Sequence, residues 1–445
     1  MSFVRDDGCE CITNSMDLFS VPPVQKGVEY GTYVDYHPIN TITDGAPIEF
    51  EIPAAGEDYL DLCNSMLYVQ AKIVKANGSK LDKDAEVAPV NLFLHSMFSQ
   101  IDISLNGTLI TTASDTYGYR AYIESLLSYG EDAKKSQLTS SLYYKDQSGR
   151  FENTILKAAA DKEEIPNPGF VARNELIRES KSIDMIGRIH ADIFFQDRYI
   201  INGVSVKIKL IRSRDAFSLM GSGDDTSHKV VIENAVLLIR KVKLNSSVFM
   251  AHAQTLETTN AKYPVRRVLC KSVTVPQGFY DVSHEKLFSG QLPNRIIIGM
   301  VQNNAFSGHY NFNPYNFQHF NMSEISVCAD GQNIQNIKPL KIDYRNNLFI
   351  QAYNSMYTGT GRLFHDEGLF VNRTEFADGY TLYAFDLSPD LTDDQKFDQL
   401  RTGSVRLQLR FANYLPVPVT LIVYAEYQNM IEIDKNRNII YDFSA

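Results

Sequence analysis

Tryptophan is absent from the 445 residues, so the large core groups come from 25 tyrosines and 25 phenylalanines. Cysteine is scarce, odd in number and scattered: Cys9, Cys11, Cys63, Cys270 and Cys328. That pattern excludes a secreted disulfide scaffold and fits a reducing compartment. No apolar stretch near the amino end has the form of a secretory signal, and no run approaches the ~20 apolar residues of a membrane span. A basic tail is also missing. Residues 1–45 hold two bases, Arg5 and Lys26, against seven acids, and the whole chain carries a formal charge of −10. Such a surface repels nucleic acid on average, so no direct specific nucleic-acid binding is expected.

The signatures of catalysis are missing too. No G-x-S-x-G elbow, P-loop or dinucleotide-binding glycine pattern occurs. The nine histidines show no metal-ligand spacing, and Cys9-Glu10-Cys11 lacks the second pair that would complete a zinc site. His365-Asp366-Glu367 reads as a solvated loop. The aromatic and asparagine-rich stretch 303–322 could stack sugars or bases, but packing under or between sheets is the favoured reading. The expected catalytic, cofactor-binding and metal-binding residues are therefore none.

What is present is alternation. Leu67, Val69, Ala71 and Ile73 face one way with Gln70 and Lys72 the other, as in a half-buried strand. The same reading applies to 188–195, where Ile189, Ala191, Ile193 and Phe195 alternate with Arg188, His190 and Asp192, and to 204–210. Long helical patterns are few, which predicts a mostly antiparallel β protein.

The pattern also repeats. Asn106-Gly107 and Asp330-Gly331 each suit a two-residue type I′ turn after an alternating strand. Tyr119-Arg120 and Tyr344-Arg345 follow twelve and thirteen residues later, each predicted to open an amphipathic helix. The first helix groups Tyr119, Tyr122, Ile123, Leu126 and Leu127; the second groups Leu348, Phe349, Ala352, Tyr353 and Met356. Both stripes are expected to cover an open edge or end of their own sandwich. Late strands "VKIKL" (206–210) and "VRLQL" (405–409) match, each followed by a long apolar strand, 236–244 and 420–428. The Arg and Lys of 263–273 read as the polar face of a strand. From Tyr119 to Val206 is 87 residues, and from Tyr344 to Val405 is 61. The excess lies in a charged excursion, 131–181, with a shorter equivalent near 359–379.

Two similar halves of roughly eight strands predict an all-β fold of two tandem eight-stranded antiparallel jelly rolls with short helices and long loop insertions. The expected boundaries are an N-terminal arm over 1–45, a first jelly roll over 46–220, a linker at 221–229 and a second jelly roll over 230–445. The strand at 230–244 is open to assignment to the first.

The segments "CECITNSMDLFSVPPVQKGVEYGTYVDYHPIN", "APIEFEIPAAGEDYLDLCNSMLYVQAKI", "VNLFLHSMFSQIDISLNG" and "YGYRAYIESLLSYGEDAKKSQLTSSLYYKD" resemble the major capsid proteins of polintons (Maverick elements). The resemblance is clearest from about residue 9 to the "GRIHADIFFQD" stretch at 187–197; the carboxyl half follows by layout. It implies a double jelly-roll major capsid protein. Homotrimers would form pseudo-hexameric capsomers tiling an icosahedral shell around double-stranded DNA. The partners implied are the chain itself and a single jelly-roll penton protein, and the location implied is the virion capsid, assembled inside the host cell. The excursions would sit at the outer end of the trimer and the acidic arm at the inner side. The competing expectation is a carbohydrate-binding or carbohydrate-processing jelly-roll protein.

Overall fold

The computed structural model describes residues 15–19, 21–157, 165–222, 228–329, 332–333, 338–389, 391 and 396–441. Cys9, Cys11, Asp330-Gly331, residues 1–14 and 20 of the arm, and 223–227 of the expected linker lie outside the described residues.

Sixteen strands carry the architecture. The first eight are β1 Val28–Tyr36, β2 Ile48–Ile52, β3 Tyr59–Lys75, β4 Phe98–Leu105, β5 Thr108–Leu109, β6 Ile183–Gly187, β7 Val206–Arg212 and β8 His228–Leu244. They form two antiparallel sheets, β1-β8-β3-β6 and β2-β7-β4-β5. The second eight are β9 Ala261–Val275, β10 Asp281–Gln291, β11 Arg295–Gln302, β12 Met322–Ala329, β13 Gln332–Asn333, β14 Leu382–Asp386, β15 Thr402–Phe411 and β16 Val419–Ile433. Their sheets run β9-β16-β11-β14 and β10-β15-β12-β13. Both halves therefore use one strand order, with strands 1, 8, 3, 6 facing strands 2, 7, 4, 5. That order is an eight-stranded jelly roll, made twice.

The alternation in the sequence sets the faces. Leu67, Val69, Ala71 and Ile73 of β3 are fully buried, as are Val206, Ile208 and Leu210 of β7 and Val405 and Leu407 of β15. Asn106 and Gly107 both take positive φ, 46° and 82°, between paired Leu105 and Thr108, as a type I′ hairpin requires. Pro264 lies in β9, an edge strand, where a missing N–H is tolerated.

Several expectations are corrected. Strand β8 pairs β1 on one side and β3 on the other, so 228–244 lies inside the first roll. The chain crosses to the second roll after Leu244, through the helix Ser246–Leu256, and not at 221–229. Within the expected arm, 28–36 is β1, because Tyr30 to Tyr36 find partners along β8. The stretch 188–195 is not a strand. The ladder ends at Gly187, and Asp192–Phe194 form a 3-10 turn that buries Asp192. Tyr344-Arg345 does not open a helix, since Asp343 accepts the backbone N–H groups of Arg345 and Asn346 and Asn347 takes φ 57°. An Asx turn competes there with the helix, which starts only at Ile350. Leu348 is exposed in consequence. In β9, Arg267 is buried, unlike Arg266 on the polar face.

Four helices complete the frame: α1 Tyr117–Ser128, α2 Pro168–Ile177, α3 Ser246–Leu256 and α4 Ile350–Thr358. Helix α2 lies inside the charged excursion. It starts at Asn167-Pro168, where the N-cap side chain accepts from Gly169 N and proline takes the first helical position.

Antiparallel order sorts the connections into two ends. The links β1–β2, β3–β4, β5–β6 and β7–β8 share one end of the first roll. The start of β1, the β4–β5 hairpin, the β6–β7 link and the end of β8 share the other. Lys134, in the β5–β6 excursion, bonds the carbonyl of Leu369, in the β13–β14 excursion. At the opposite end, Asn106 of the β4–β5 hairpin bonds the carbonyl of Arg437, just past β16. The two rolls thus stand side by side with like ends together.

Candidate functional site

The surface between the rolls gathers a cluster of titratable groups. Helix α1 was expected to cover its own sandwich. Instead Tyr119, Tyr122, Ile123, Leu126 and Leu127 join one continuous apolar core with Ile296, Ile298, Tyr315 and Phe317 of the second roll. The helix is seated there by Thr116, whose Oγ1 donates to the Cys270 carbonyl at 2.9 Å. Gly118 lets Tyr315 approach: a Cβ there would lie 3.1 Å from the Tyr315 hydroxyl oxygen. The aromatic stretch 303–322 is a packing segment, as favoured, with Tyr310, Tyr315 and Phe317 fully buried.

The other side of α1 faces the β6–β7 link of its own roll. Arg120 donates to Asp192 at 2.7 Å and to Glu124 at 2.9 Å. The second oxygen of Glu124 meets His190 Nδ1 at 2.5 Å. From the second roll, the Tyr424 hydroxyl donates to Glu124 at 3.2 Å and the Val268 N–H to Asp192 at 3.2 Å. Burial alone would raise the Glu124 carboxyl; the Arg120 guanidinium and His190 outweigh it and hold the group at about 2. Burial raises Asp192 despite the same guanidinium. His95, bonded to the Tyr117 hydroxyl at 2.9 Å, is held well below the usual histidine range by burial and by His190.

Histidine, carboxylates and tyrosine in one cluster have the makings of acid–base chemistry. Here each charged group is spent on a partner: the void beside Arg120, His190 and Asp192 is only about 30 Å³, and the larger one of about 330 Å³ on the Glu124 and Tyr424 side is lined by Arg295 and Glu426, themselves paired. The cluster's evident work is to join two rolls across a polar seam. The sequence showed Arg120, Glu124 and His190 singly, and only the fold brings them together.

A second seam joins the excursions. Arg173 and Asp146 are fully buried and bonded at 2.7 Å. The other Arg173 nitrogens donate to the Pro89 and Tyr144 carbonyls, each at 2.7 Å. Asp146 also accepts from Asn313 of the second roll at 3.3 Å, and its carbonyl accepts from Tyr380 at 2.6 Å. Lys134 donates to the Leu126 and Leu369 carbonyls at 2.6 and 2.7 Å. Burial and the nearby Lys145 lower it to about 7. The described parts of the excursion, 131–157 and 165–181, are therefore a structured bridge between the rolls.

The other positions weighed from the sequence and set aside are scattered. His365, Asp366 and Glu367 are exposed, with Glu367 paired to Arg362 at 3.0 Å. Cys63, Cys270 and Cys328 form no disulfide among the described residues. Among those residues no group of histidines, cysteines and carboxylates has a metal-holding arrangement, and no helix is long and apolar enough to cross a membrane.

No protein-family model matches the chain. It is 25% identical to an uncharacterized protein of Caenorhabditis elegans over 442 residues, 95% of this chain and 99% of the relative. Solved structures resemble it over nearly its whole length. A chain of the Sputnik virophage superposes with TM-score 0.67 at 12% identity, covering 99% of this chain and 94% of the other. The major capsid protein of mavirus gives 0.52 at 10% identity, with coverage of 100% and 97%. The major capsid protein of Faustovirus gives 0.51 at 9%, with coverage of 94% and 93%.

The fold is a double jelly roll. The structures that share it are major capsid proteins of virophages and giant viruses. The match spans both rolls, so the likeness includes their side-by-side placement as well as each sandwich.

Proposed function

We propose that the chain is a polinton-type major capsid protein that self-associates as a homotrimer. Two like rolls per chain and three chains make a six-sided capsomer, which can tile a hexagonal lattice and so a facet of an icosahedral shell around double-stranded DNA. The observation that carries this reading is the side-by-side pair of rolls with like ends together, held by the buried α1 seam. A rigid pair of matching blocks is what pseudo-sixfold packing needs. Both long excursions share one end, which fits an outer crown. The arm leaves from the opposite end, which fits an inner face. Closure of the shell would call for a single jelly-roll penton protein at the fivefold vertices.

The reading places the chain in a virion capsid, where its work is binding and not catalysis. Permanent interfaces within such a trimer would bury more than ~2,000 Å². Light scattering after size exclusion tests it. A native mass near three times 50.3 kDa, with six-sided particles in negative stain, is expected. A monomer at all concentrations would overturn it.

A further inference from the structure

An apolar groove of about 560 Å³ lies under helix α3, at the end of the molecule opposite the excursions. Its floor is Tyr59 and Tyr263, both buried, and its wall is Phe249, His252 and Leu256 of α3. Helix α3 buries none of its own residues fully: Val248, Phe249 and Leu256 are half-buried against the first roll's core, and Met250 is exposed. It is anchored by its N-cap Asn245, whose side chain accepts from Ser247 N at 3.0 Å. An amphipathic helix standing over an open apolar groove is short of a partner segment.

The arm has the matching shortage. Met16, Leu18, Phe19, Val21 and Val24 are all exposed, Phe19 at 96%. Gly27 and Val28, where the arm meets β1, line the groove's rim. No described residue of 16–24 lines the groove of its own chain, and the arm's exit at 25–28 is pinned. Gln25 both donates to the Val28 carbonyl and accepts from the Val28 N–H, and Gly27 O accepts from Asn245 N at 2.9 Å. Within one chain the apolar segment and the groove are therefore both left open.

Charge agrees with the fit. The groove's lining includes Arg198, Lys262 and Arg437 against the single carboxylate Asp197. Residues 1–17 carry Arg5 against Asp6, Asp7, Glu10 and Asp17. Opposite charge at the rim steers encounter and sets direction, while apolar burial holds the segment.

We infer that the apolar segment 16–24 of one copy docks in the α3 groove of a second copy. The docked arm would tie neighbouring chains together at the inner face. The inference rests on the proposed self-assembly.

A photoreactive benzoyl-phenylalanine in place of Phe19 in the full chain tests it, since so exposed a position leaves folding intact. Irradiation is expected to give a covalent dimer in which residue 19 is joined to the 244–263 region of another copy. Links confined to one chain would overturn the inference, and so would their absence in a preparation that is trimeric or larger. In those cases the capsid reading stands. A preparation that stays monomeric at all concentrations overturns both. The double variant L18S/F19S should weaken association between copies by about 100-fold while each copy stays folded. Unchanged association would also overturn the inference.

Discussion

Tyr122 of the first roll and Tyr315 of the second lie face to face, ring centroids 4.1 Å apart and 2° from parallel. The Tyr315 hydroxyl also donates to the Gly118 carbonyl at 3.3 Å. The stack sits in a core to which both rolls contribute. The two rolls should therefore unfold as one unit, with a single calorimetric transition. Removing the Tyr315 ring leaves a cavity in the shared core, so Y315A should cost about 3–5 kcal/mol. In a double-mutant cycle with Y122A the pair should show coupling of about 1 kcal/mol. Two separate transitions in the wild type would show that the seam does not unite the rolls.

Glu124 makes a pH prediction. Its carboxyl is held at about 2 against an ordinary 4.5. A depressed carboxylate stabilises the fold above the ordinary value, and that contribution is lost as pH falls through the folded value. The window is thus pH 4.5 down to 2, and the amount is about 3 kcal/mol. Asp192, raised by burial, takes up its proton earlier and blunts the loss. In denaturant titrations E124Q should lower stability at pH 7 by about 3 kcal/mol, because it leaves Arg120 and His190 underpaired. The variant's acid limb should also be flatter between pH 4.5 and 2. An unchanged acid limb would count against the assignment.

Lys134 runs the other way. Burial lowers its amine from 10.5 to about 7. The unfolded chain binds this proton more tightly than the folded one, so stability rises with pH across the interval from 7 toward 10.5. The slope approaches ~1.4 kcal/mol per pH unit from this group. Denaturation midpoints at pH 7, 8 and 9 should climb in the wild type and level off in K134M, which cannot titrate. An equal climb in both would place the effect elsewhere.

Much of this fold was readable where local pattern and tertiary need agree. Val405, Leu407 and Leu409 alternate in the sequence and are buried in β15. Asn106-Gly107 carried its own turn geometry. Apart from the local Asx turn at Asp343, the readings that failed did so because pattern does not say what a face will meet. The alternation at 188–195 looked like a strand, yet Asp192 is drawn inward to Arg120, a partner on α1 that no local window contains. The stripe on α1 was visible, and its destination, the second roll's core, was not. Lys134, Asp146 and Arg173 looked like charges on a surface excursion. They are buried because partners distant in sequence converge on them: carbonyls on Lys134, carbonyls and Asp146 on Arg173, and the Arg173, Asn167 and Asn313 donors on Asp146.

The charge balance predicts behaviour toward nucleic acid. With a net charge of −10 and a residue 1–45 segment richer in acid than base, the purified protein should not retain duplex DNA in a mobility-shift assay at physiological salt. If a shell of this protein encloses DNA, another protein or small cations must neutralise the phosphates. Tight retention insensitive to sequence would overturn the charge argument.

The last prediction concerns Asn106, which joins three segments at the end of the molecule where the groove lies. Its side-chain oxygen accepts from Ser205 N at 2.7 Å, and its nitrogen donates to the Arg437 carbonyl at 2.8 Å. Its neighbour Gly107 has φ 82° and open space where a Cβ would point. The two residues therefore separate backbone strain from side-chain bonding. G107A should cost only the strain of a left-handed residue, about 1 kcal/mol. Aspartate at 106 still tolerates positive φ and still accepts from Ser205, but it can no longer donate, and it sets a carboxylate against the Arg437 carbonyl. N106D should then destabilise by about 0.5–1.5 kcal/mol, the range for a hydrogen bond lost at an exposed site. Chemical denaturation of both variants measures the difference. If N106D were neutral, the Asn106–Arg437 link would carry none of the alignment between the rolls at this end.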